Sequence, residues 1–131
     1  MKVLWSDRYS VGNEVLDSQH KELFNIINKL NSLIDKDIKD NSISQLLLDM
    51  SNYVEVHFRT EENMLSKLNY PGYHDQMTSH EDFILKTIDL FDAYNTDPDT
   101  IDLVEINNYL YNWLSEHILK EDMQYKPYLS N

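Results

Sequence analysis

The scarcity of helix-breaking residues is the feature that most restricts how this chain can fold. Its 131 residues include only two Gly and three Pro. They lie at four places: Gly12, Pro71-Gly72, Pro98 and Pro127. The runs 13–70, 73–97 and 99–126 contain neither residue type. Proline interrupts helices and glycine weakens them, whereas turn-rich β-sandwiches and barrels need many of both. The sequence therefore predicts an all-α chain.

The three uninterrupted runs divide into four amphipathic helices. The run 13–70 is too long for one ordinary helix, and its polar cluster 35–42 is typical of a loop that ends in an N-cap. Apolar residues recur at helical spacing in each remaining segment. The predicted helices span about 17–37, 42–65, 74–94 and 100–122. Their start signals are Asp17 and Ser18, Ser42, and Thr100.

Short connections between helices of this length make neighbouring helices antiparallel. We therefore predict one domain over 1–131, an up-down-up-down antiparallel four-helix bundle. Residues 1–16 form an N-terminal arm before the first helix, and we expect Leu4 and Trp5 to anchor this arm by packing.

The charge balance excludes two classes of partner. The chain has 11 Lys and Arg against 23 Asp and Glu, a formal net charge of −12. Nucleic acids and anionic membrane surfaces both need a basic face, so neither is expected to bind. The N-terminus lacks the apolar core of a signal peptide, and no stretch approaches the length of a transmembrane span. We therefore expect a cytoplasmic protein.

Histidine is the residue type that points to chemistry. The chain has no Cys and five His, so imidazoles and carboxylates are the only strong metal ligands available. Four of the imidazoles fall one per predicted helix, toward the same end of the bundle: His20, His57, His80 and His117. The fifth, His74, lies about 120° around the helix from His80, and we expect it to be solvated at the helix start.

Carboxylates and an amide accompany these histidines at helical spacing. Glu61 lies four residues after His57, on the same face, whereas the neighbouring Glu62 points away and is expected to be solvated. Gln76 precedes His80 by four residues. His117 is followed by Glu121 at four residues and by Asp122 at five.

Regular helical spacing favours Glu121 as the partner of His117, and Asp122 requires a widened, π-like turn. Both alternatives remain open on spacing alone. Carboxylates can bridge two cations while neutral imidazoles hold each cation from outside, and this donor set suits iron, manganese or zinc. The competing interpretation is a polar bundle core satisfied by water and salt links.

Four segments also resemble, in order, the motifs of one family. They are Trp5 with Tyr9-Ser-Val-Gly12 and Leu16-Asp17-Ser-Gln19-His20; His57-Phe58-Arg59-Thr60-Glu61-Glu62; Tyr70-Pro71 with His80-Glu81-Asp82-Phe83; and Trp113-Leu114-Ser-Glu-His117-Ile118 with Asp122 and Tyr125. Over nearly its whole length the chain resembles the hemerythrin family, in its single-domain bacterial form.

This resemblance implies a non-haem di-iron centre that binds dioxygen, with two iron ions joined by an oxo or hydroxo group. His20 and His57 would hold the iron with the open position, and His80 and His117 the other. Glu61 and Asp122 would bridge them, so the resemblance favours Asp122 over Glu121. The implied ligand is dioxygen. A candidate partner is a reductase or an oxygen-using enzyme, and we expect the protein to be a monomer or weak oligomer.

One position departs from the family pattern. The family has a further histidine where this chain has Gln76. We hypothesise that Gln76 ligates weakly through its oxygen or leaves a water there; a contribution from His74 is less favoured. The departure leaves a second function open, a di-iron oxidase or peroxidase. A zinc-binding bundle and a metal-free interaction module are the remaining alternatives.

Overall fold

Four long helical segments make up most of the computed structural model, which describes residues 3–36 and 41–129. The main helices are α1 (Glu14–Lys36), α2 (Asn41–Tyr53), α3 (Arg59–Lys67), α4 (Tyr73–Thr96), α5 (Leu103–Trp113) and α6 (Lys126–Leu129). Two wide, π-helical segments continue these helices: the first π segment, Val54–Phe58, joins α2 to α3, and the second π segment, Leu114–Glu121, extends α5. Short 3₁₀ turns lie at Asp7–Tyr9, Pro98–Thr100 and Asp122–Gln124.

The helices form the predicted up-down-up-down antiparallel bundle. The first long segment, α1, packs against α2 and α5, while α4 packs against α2 and α3. No strand occurs within 3–36 or 41–129. Within the same ranges, no helix has both the length and the apolar character needed to cross a membrane. The all-α prediction is confirmed.

The first helix starts earlier than the capping signals predicted. It begins at Glu14 rather than near residue 17, because Asn13 provides the cap: its side-chain oxygen accepts a hydrogen bond from the amide of Leu16 at 3.0 Å. Asp17 has another role. It accepts hydrogen bonds from the Ser10 hydroxyl at 2.6 Å and from the Val11 amide at 2.9 Å, which ties the arm to α1.

The other helix starts also differ. The second helix already includes Asn41, so Ser42 lies inside it, and residues 37–40 of the predicted loop lie outside the described part of the chain. Thr100 belongs to a 3₁₀ turn instead of capping the fourth helix. The side chain of Asp102 caps α5 by accepting hydrogen bonds from the amides of Val104 and Glu105.

Only one of the two predicted arm anchors packs against the bundle. The ring of Trp5 meets the ring of Phe24 edge-on, with centroids 5.4 Å apart. Leu4 is 72% exposed, so its prediction was wrong. Hydrogen bonds to the Val3 backbone attach the arm instead. The Asn28 side chain accepts from the Val3 amide and donates to the Val3 carbonyl.

Among the residues that the structure describes, the core consists of two apolar clusters of unequal size. The large cluster runs through the bundle and includes Phe58 and Trp113. The small cluster contains Val11, Leu16, Leu65, Tyr70 and Tyr125. Buried polar side chains contact both clusters, because Phe58 stacks on His80 and Tyr125 hydrogen-bonds Glu61. The candidate site therefore lies where the two clusters meet.

Candidate metal centre

Four imidazoles converge at this end of the bundle. His20 comes from α1, His57 from the first π segment, His80 from α4 and His117 from the second π segment, and each is at most 2% exposed. The rings form two pairs. The centroids of His20 and His57 lie 4.4 Å apart, and those of His80 and His117 lie 5.2 Å apart.

Glu61 lies between the two pairs, fully buried. Its Oε2 is 3.1 Å from Nε2 of His57 and 3.5 Å from Nε2 of His20. Its Oε1 is 2.9 Å from Nε2 of His80 and 3.8 Å from Nε2 of His117. Each oxygen of this carboxylate therefore faces a different histidine pair.

Asp122 divides its oxygens in the same way and is also fully buried. Its Oδ2 lies 3.1 Å from Nε2 of His20, and its Oδ1 lies 3.1 Å from Nε2 of His117. The second π segment makes this possible, because its wider turn brings a residue five positions after His117 onto the same face. Glu121 instead lies on the outer side of His117, with Oε2 3.5 Å from Nδ1.

Two outer imidazole nitrogens have close partners. Nδ1 of His80 donates to Oε2 of Glu62 at 2.7 Å, since a carboxylate can only accept. The expectation that Glu62 is solvated was therefore wrong. Nδ1 of His57 lies 3.0 Å from Oε1 of Gln19. With Nδ1 held by an outer acceptor, Nε2 of each ring is the nitrogen that faces the cluster, the arrangement that metal-binding histidines need.

Sequence reasoning did not foresee how Gln19 is oriented. The hydroxyl of Thr60 donates to the carbonyl of Val56 at 2.7 Å, so its oxygen is free to accept from Nε2 of Gln19 at 3.2 Å. This bond turns Oε1 of Gln19 toward His57, where it acts as an acceptor. Gln19 and Thr60 are 41 residues apart, so no local pattern signals their contact.

Aromatic rings pack against the imidazoles and fix their planes. Phe58 stacks on His80 at 3.9 Å, with 4° between the ring planes. Trp113 stacks on His117 at 4.0 Å and 17°. Large aromatic side chains at these positions exclude water from two sides of the site.

Tyr125 adds a polar contact from the small cluster. Its hydroxyl donates to Oε2 of Glu61 at 2.7 Å. Burial raises the pKa of Tyr125 well above its ordinary value, and the nearby Asp122 and Glu61 carboxylates raise it further, so the hydroxyl stays protonated.

The buried charges change the pKa values of the cluster. Burial lowers the pKa of His20, but the Asp122 and Glu61 carboxylates, 3.1 and 3.5 Å from its Nε2, outweigh burial and raise that pKa to about 9. The pKa of His117 is raised in the same way, against burial, by Asp122 first. Burial prevails at His57, whose pKa is lowered. The histidines lower the pKa of both carboxylates despite burial.

The donor set fits metal ions. Two groups of donor atoms each lie within 4.8 Å of one another: His20, His57, Glu61 and Asp122 in one, and Glu61, His80 and His117 in the other. Several of these atoms are buried without a hydrogen-bond partner, namely Nε2 of His20, His57 and His117 and both oxygens of Asp122. Buried polar atoms normally have partners. Imidazole nitrogens and carboxylate oxygens are the donors that iron, manganese and zinc accept.

His74 and Gln76, two residues apart at the start of α4, differ in burial. His74 is exposed in the first turn of α4 and belongs to neither donor group. Gln76 is buried, and its Nε2 donates to the backbone carbonyl of Glu121 at 3.3 Å.

Comparison with known proteins identifies the family. The family model described as "Hemerythrin HHE cation binding domain" matches residues 11–129. The chain belongs to the hemerythrin family. The resemblance inferred from the sequence motifs is thus confirmed, and the described candidate site lies within the matched residues.

Hemerythrin relatives match this chain over most of their length. A bacteriohemerythrin from Clostridium acetobutylicum is 29% identical over 126 residues, which cover 93% of this chain and 97% of that protein. A hemerythrin-like protein from Naegleria gruberi is 30% identical over 125 residues, covering 95% and 92%. A myohemerythrin from Sipunculus nudus is 29% identical over 123 residues, covering 94% and 90%.

The hemerythrin fold is likewise found among solved structures. A crystal structure of a hemerythrin mutant superposes with a TM-score of 0.82 and covers 98% of both chains, at 22% identity. Fold and family agree, and the family description as a cation-binding domain agrees with the buried donor cluster.

Proposed function

We propose that this hemerythrin-family chain binds two iron ions in the buried cluster and uses them to bind dioxygen reversibly, for carriage, storage, delivery or sensing. One observation carries the proposal: the two oxygens of Glu61, and likewise those of Asp122, face different histidine pairs. A carboxylate with that placement can bridge two cations. Two carboxylates also offset part of the charge of a cation pair in a buried site.

The residues divide the work as follows. His20 and His57 would hold one iron, the one that would bind dioxygen. His80 and His117 would hold the other iron, and the two carboxylates would bridge the pair. When bound, an iron pair would supply the electrons that dioxygen needs in order to bind. The relatives named bacteriohemerythrin and myohemerythrin support iron and dioxygen over other metals and ligands.

The chain itself contributes orientation and exclusion of water. Gln19 and Glu62 keep a proton on the outer nitrogen of His57 and His80, so that Nε2 can bind a cation. Tyr125 holds Oε2 of Glu61 through its hydroxyl. The buried side chains of Leu23, Leu114 and Ile118 belong to the large apolar cluster and keep the bundle interior dry, which favours a small apolar ligand.

Anaerobic loading with ferrous iron tests the proposal. We expect two iron ions per chain, a charge-transfer band when air is admitted, and loss of that band when air is removed. His57→Leu should abolish the two-iron stoichiometry. The matched control is His74→Leu, which changes an exposed histidine outside both donor groups and should leave stoichiometry and band unchanged.

Other outcomes separate the alternatives. A band that decays at once to a ferric species, with consumption of peroxide and turnover by a reductant, indicates an oxidase or peroxidase. Two bound irons without any visible band refute dioxygen binding. Tight uptake of zinc with no response to air indicates a zinc-binding bundle.

A further inference from the structure

We propose that Gln76 is a further ligand, binding through its side-chain oxygen to the metal ion that His80 and His117 hold; this rests on the metal pair proposed above. Gln76 lies four residues before His80 on α4, about one turn away on the same face. Its side chain is 1% exposed. A long polar side chain is rarely buried to this extent unless its polar atoms have partners.

One hydrogen bond fixes the orientation of the Gln76 amide. Nε2 of Gln76 donates to the backbone carbonyl of Glu121, the residue next to Asp122. A carbonyl oxygen can only accept, so the nitrogen of the amide must face it and Oε1 must lie on the other branch. The two ends of the amide therefore cannot be exchanged without losing this bond.

The oxygen of the amide has no such partner. Oε1 of Gln76 is buried and makes no hydrogen bond to any described residue. It shares this condition with atoms of the donor cluster itself, such as both oxygens of Asp122 and Nε2 of His117. An unpartnered buried oxygen costs stability in the metal-free protein, and a cation beside it removes that cost.

The chemistry of an amide oxygen suits this position. It is a neutral oxygen donor, so it adds a bond to a divalent cation without adding charge to a site that already contains two carboxylates. With Gln76, the ion of His80 and His117 gains a protein ligand that the ion of His20 and His57 lacks. The two ions would then differ, and the ion of His20 and His57 would keep the open position.

Cobalt titration of the metal-free protein tests this assignment without any dioxygen chemistry. Co²⁺ is the probe because its visible absorption intensifies when a ligand is lost from a six-coordinate ion. The wild type should bind two Co²⁺ per chain. In Gln76→Leu we expect one Co²⁺ to bind about 10- to 100-fold more weakly with a more intense band, while the other is unchanged.

The matched control is Asn107→Leu. Oδ1 of Asn107 is also a buried amide oxygen without a hydrogen bond, but this residue lies ten positions before His117, about 15 Å along the helix direction. The Asn107→Leu variant should bind both Co²⁺ ions with the same affinity and spectrum as the wild type.

Thermal unfolding separates ligation from a structural role. If Gln76 is a ligand, Co²⁺ should stabilise the wild type more than it stabilises Gln76→Leu; if its role is purely structural, the variant should lose the same stability with and without Co²⁺. If Gln76→Leu fails to fold, Gln76→Glu provides the test. This variant keeps an oxygen donor at position 76, so it should bind the second Co²⁺, the one held by His80 and His117, at least as tightly as the wild type does.

The outcomes are distinct. If the wild type binds two Co²⁺ and Gln76→Leu binds both with unchanged affinity and spectrum, or Gln76→Glu binds the second more weakly than wild type, the assignment of Gln76 is overturned alone. If the wild type binds fewer than two, the proposed metal pair fails as well.

Discussion

The hydrogen bond between Tyr125 and Glu61 makes a quantitative test of how the cluster is held. Tyr125→Phe removes one hydroxyl and keeps the ring, so the ring contact with Tyr70, at 6.1 Å between centroids, is preserved. The lost bond is 2.7 Å long, and both side chains are fully buried. A hydrogen bond to a charged group contributes about 1.5–3 kcal/mol. The pKa of Glu61 lies well below its ordinary value, so its carboxylate is charged at neutral pH.

We therefore expect Tyr125→Phe to lower the free energy of unfolding of the metal-free protein by about 2 kcal/mol. Urea unfolding measures this as a lower midpoint with an unchanged slope. The iron affinity should also fall, by roughly 10- to 100-fold, because Tyr125 orients a carboxylate that contacts both histidine pairs.

Tyr70→Phe is the matched control. It removes the same hydroxyl group from the same small apolar cluster, whereas Glu61 keeps its hydrogen bond from Tyr125. We expect a change within about 0.5 kcal/mol. The reasoning is refuted if Tyr125→Phe unfolds at the same urea concentration as the wild type, or if both variants lose the same free energy.

Three further predictions concern the cluster and its supports. Gln19→Leu should weaken iron binding about 10- to 100-fold, because His57 loses the acceptor for Nδ1–H, whereas the exposed control Gln45→Leu should not; equal affinities in an iron titration argue against that role. In the metal-free protein, the raised pKa of His20 stabilises the fold. This contribution is complete below pH 6.5, the pKa of His20 in the unfolded chain, and is lost as the pH rises through about 9. The urea midpoint should therefore fall between those pH values, and a flat profile contradicts the assignment. Asp102→Ala should lower the free energy of unfolding by about 1 kcal/mol through loss of the α5 cap, with iron affinity unchanged; a cost near zero in urea unfolding shows that the cap does not contribute.

The fold was predictable because its signals are local and repeated. Long runs without Gly or Pro, together with apolar residues at helical spacing, specify the helices, and short connections specify that they alternate in direction. The convergence of His20, His57, His80 and His117 then follows from their positions along the helices. Helix starts were less predictable, because several residues that can cap a helix lie near each start. Asn13 and Asp102 form the caps, and only their geometry distinguishes them from Asp17 and Thr100.

The outer partners of the histidines could not be predicted from spacing. Glu62 lies about 100° around α3 from Glu61, and this placed it away from the site on its own helix. It reaches His80 because α4 packs beside that face, which is a tertiary contact between residues 18 positions apart. Gln19 depends on Thr60 in the same way, across α1 and α3. Such contacts require the relative position of two helices, which single-helix periodicity does not contain.

The choice between Glu121 and Asp122 shows how packing resolves an ambiguity that is visible in the sequence. In a regular helix, Glu121 would share the face of His117 and Asp122 would lie beyond it. The wide turns of the second π segment move Asp122 into the cluster and leave Glu121 beside Nδ1 of His117, where Ser79 donates to both of its carboxylate oxygens at 2.9 and 2.7 Å. Wide turns are rare because their backbone hydrogen bonds are less favourable, so they persist where other contacts compensate. Here two carboxylates provide the compensating contacts: Asp122 in the cluster, and Glu121 with His117 and Ser79. The departure from regular helix geometry therefore places Asp122, a residue proposed to bind metal.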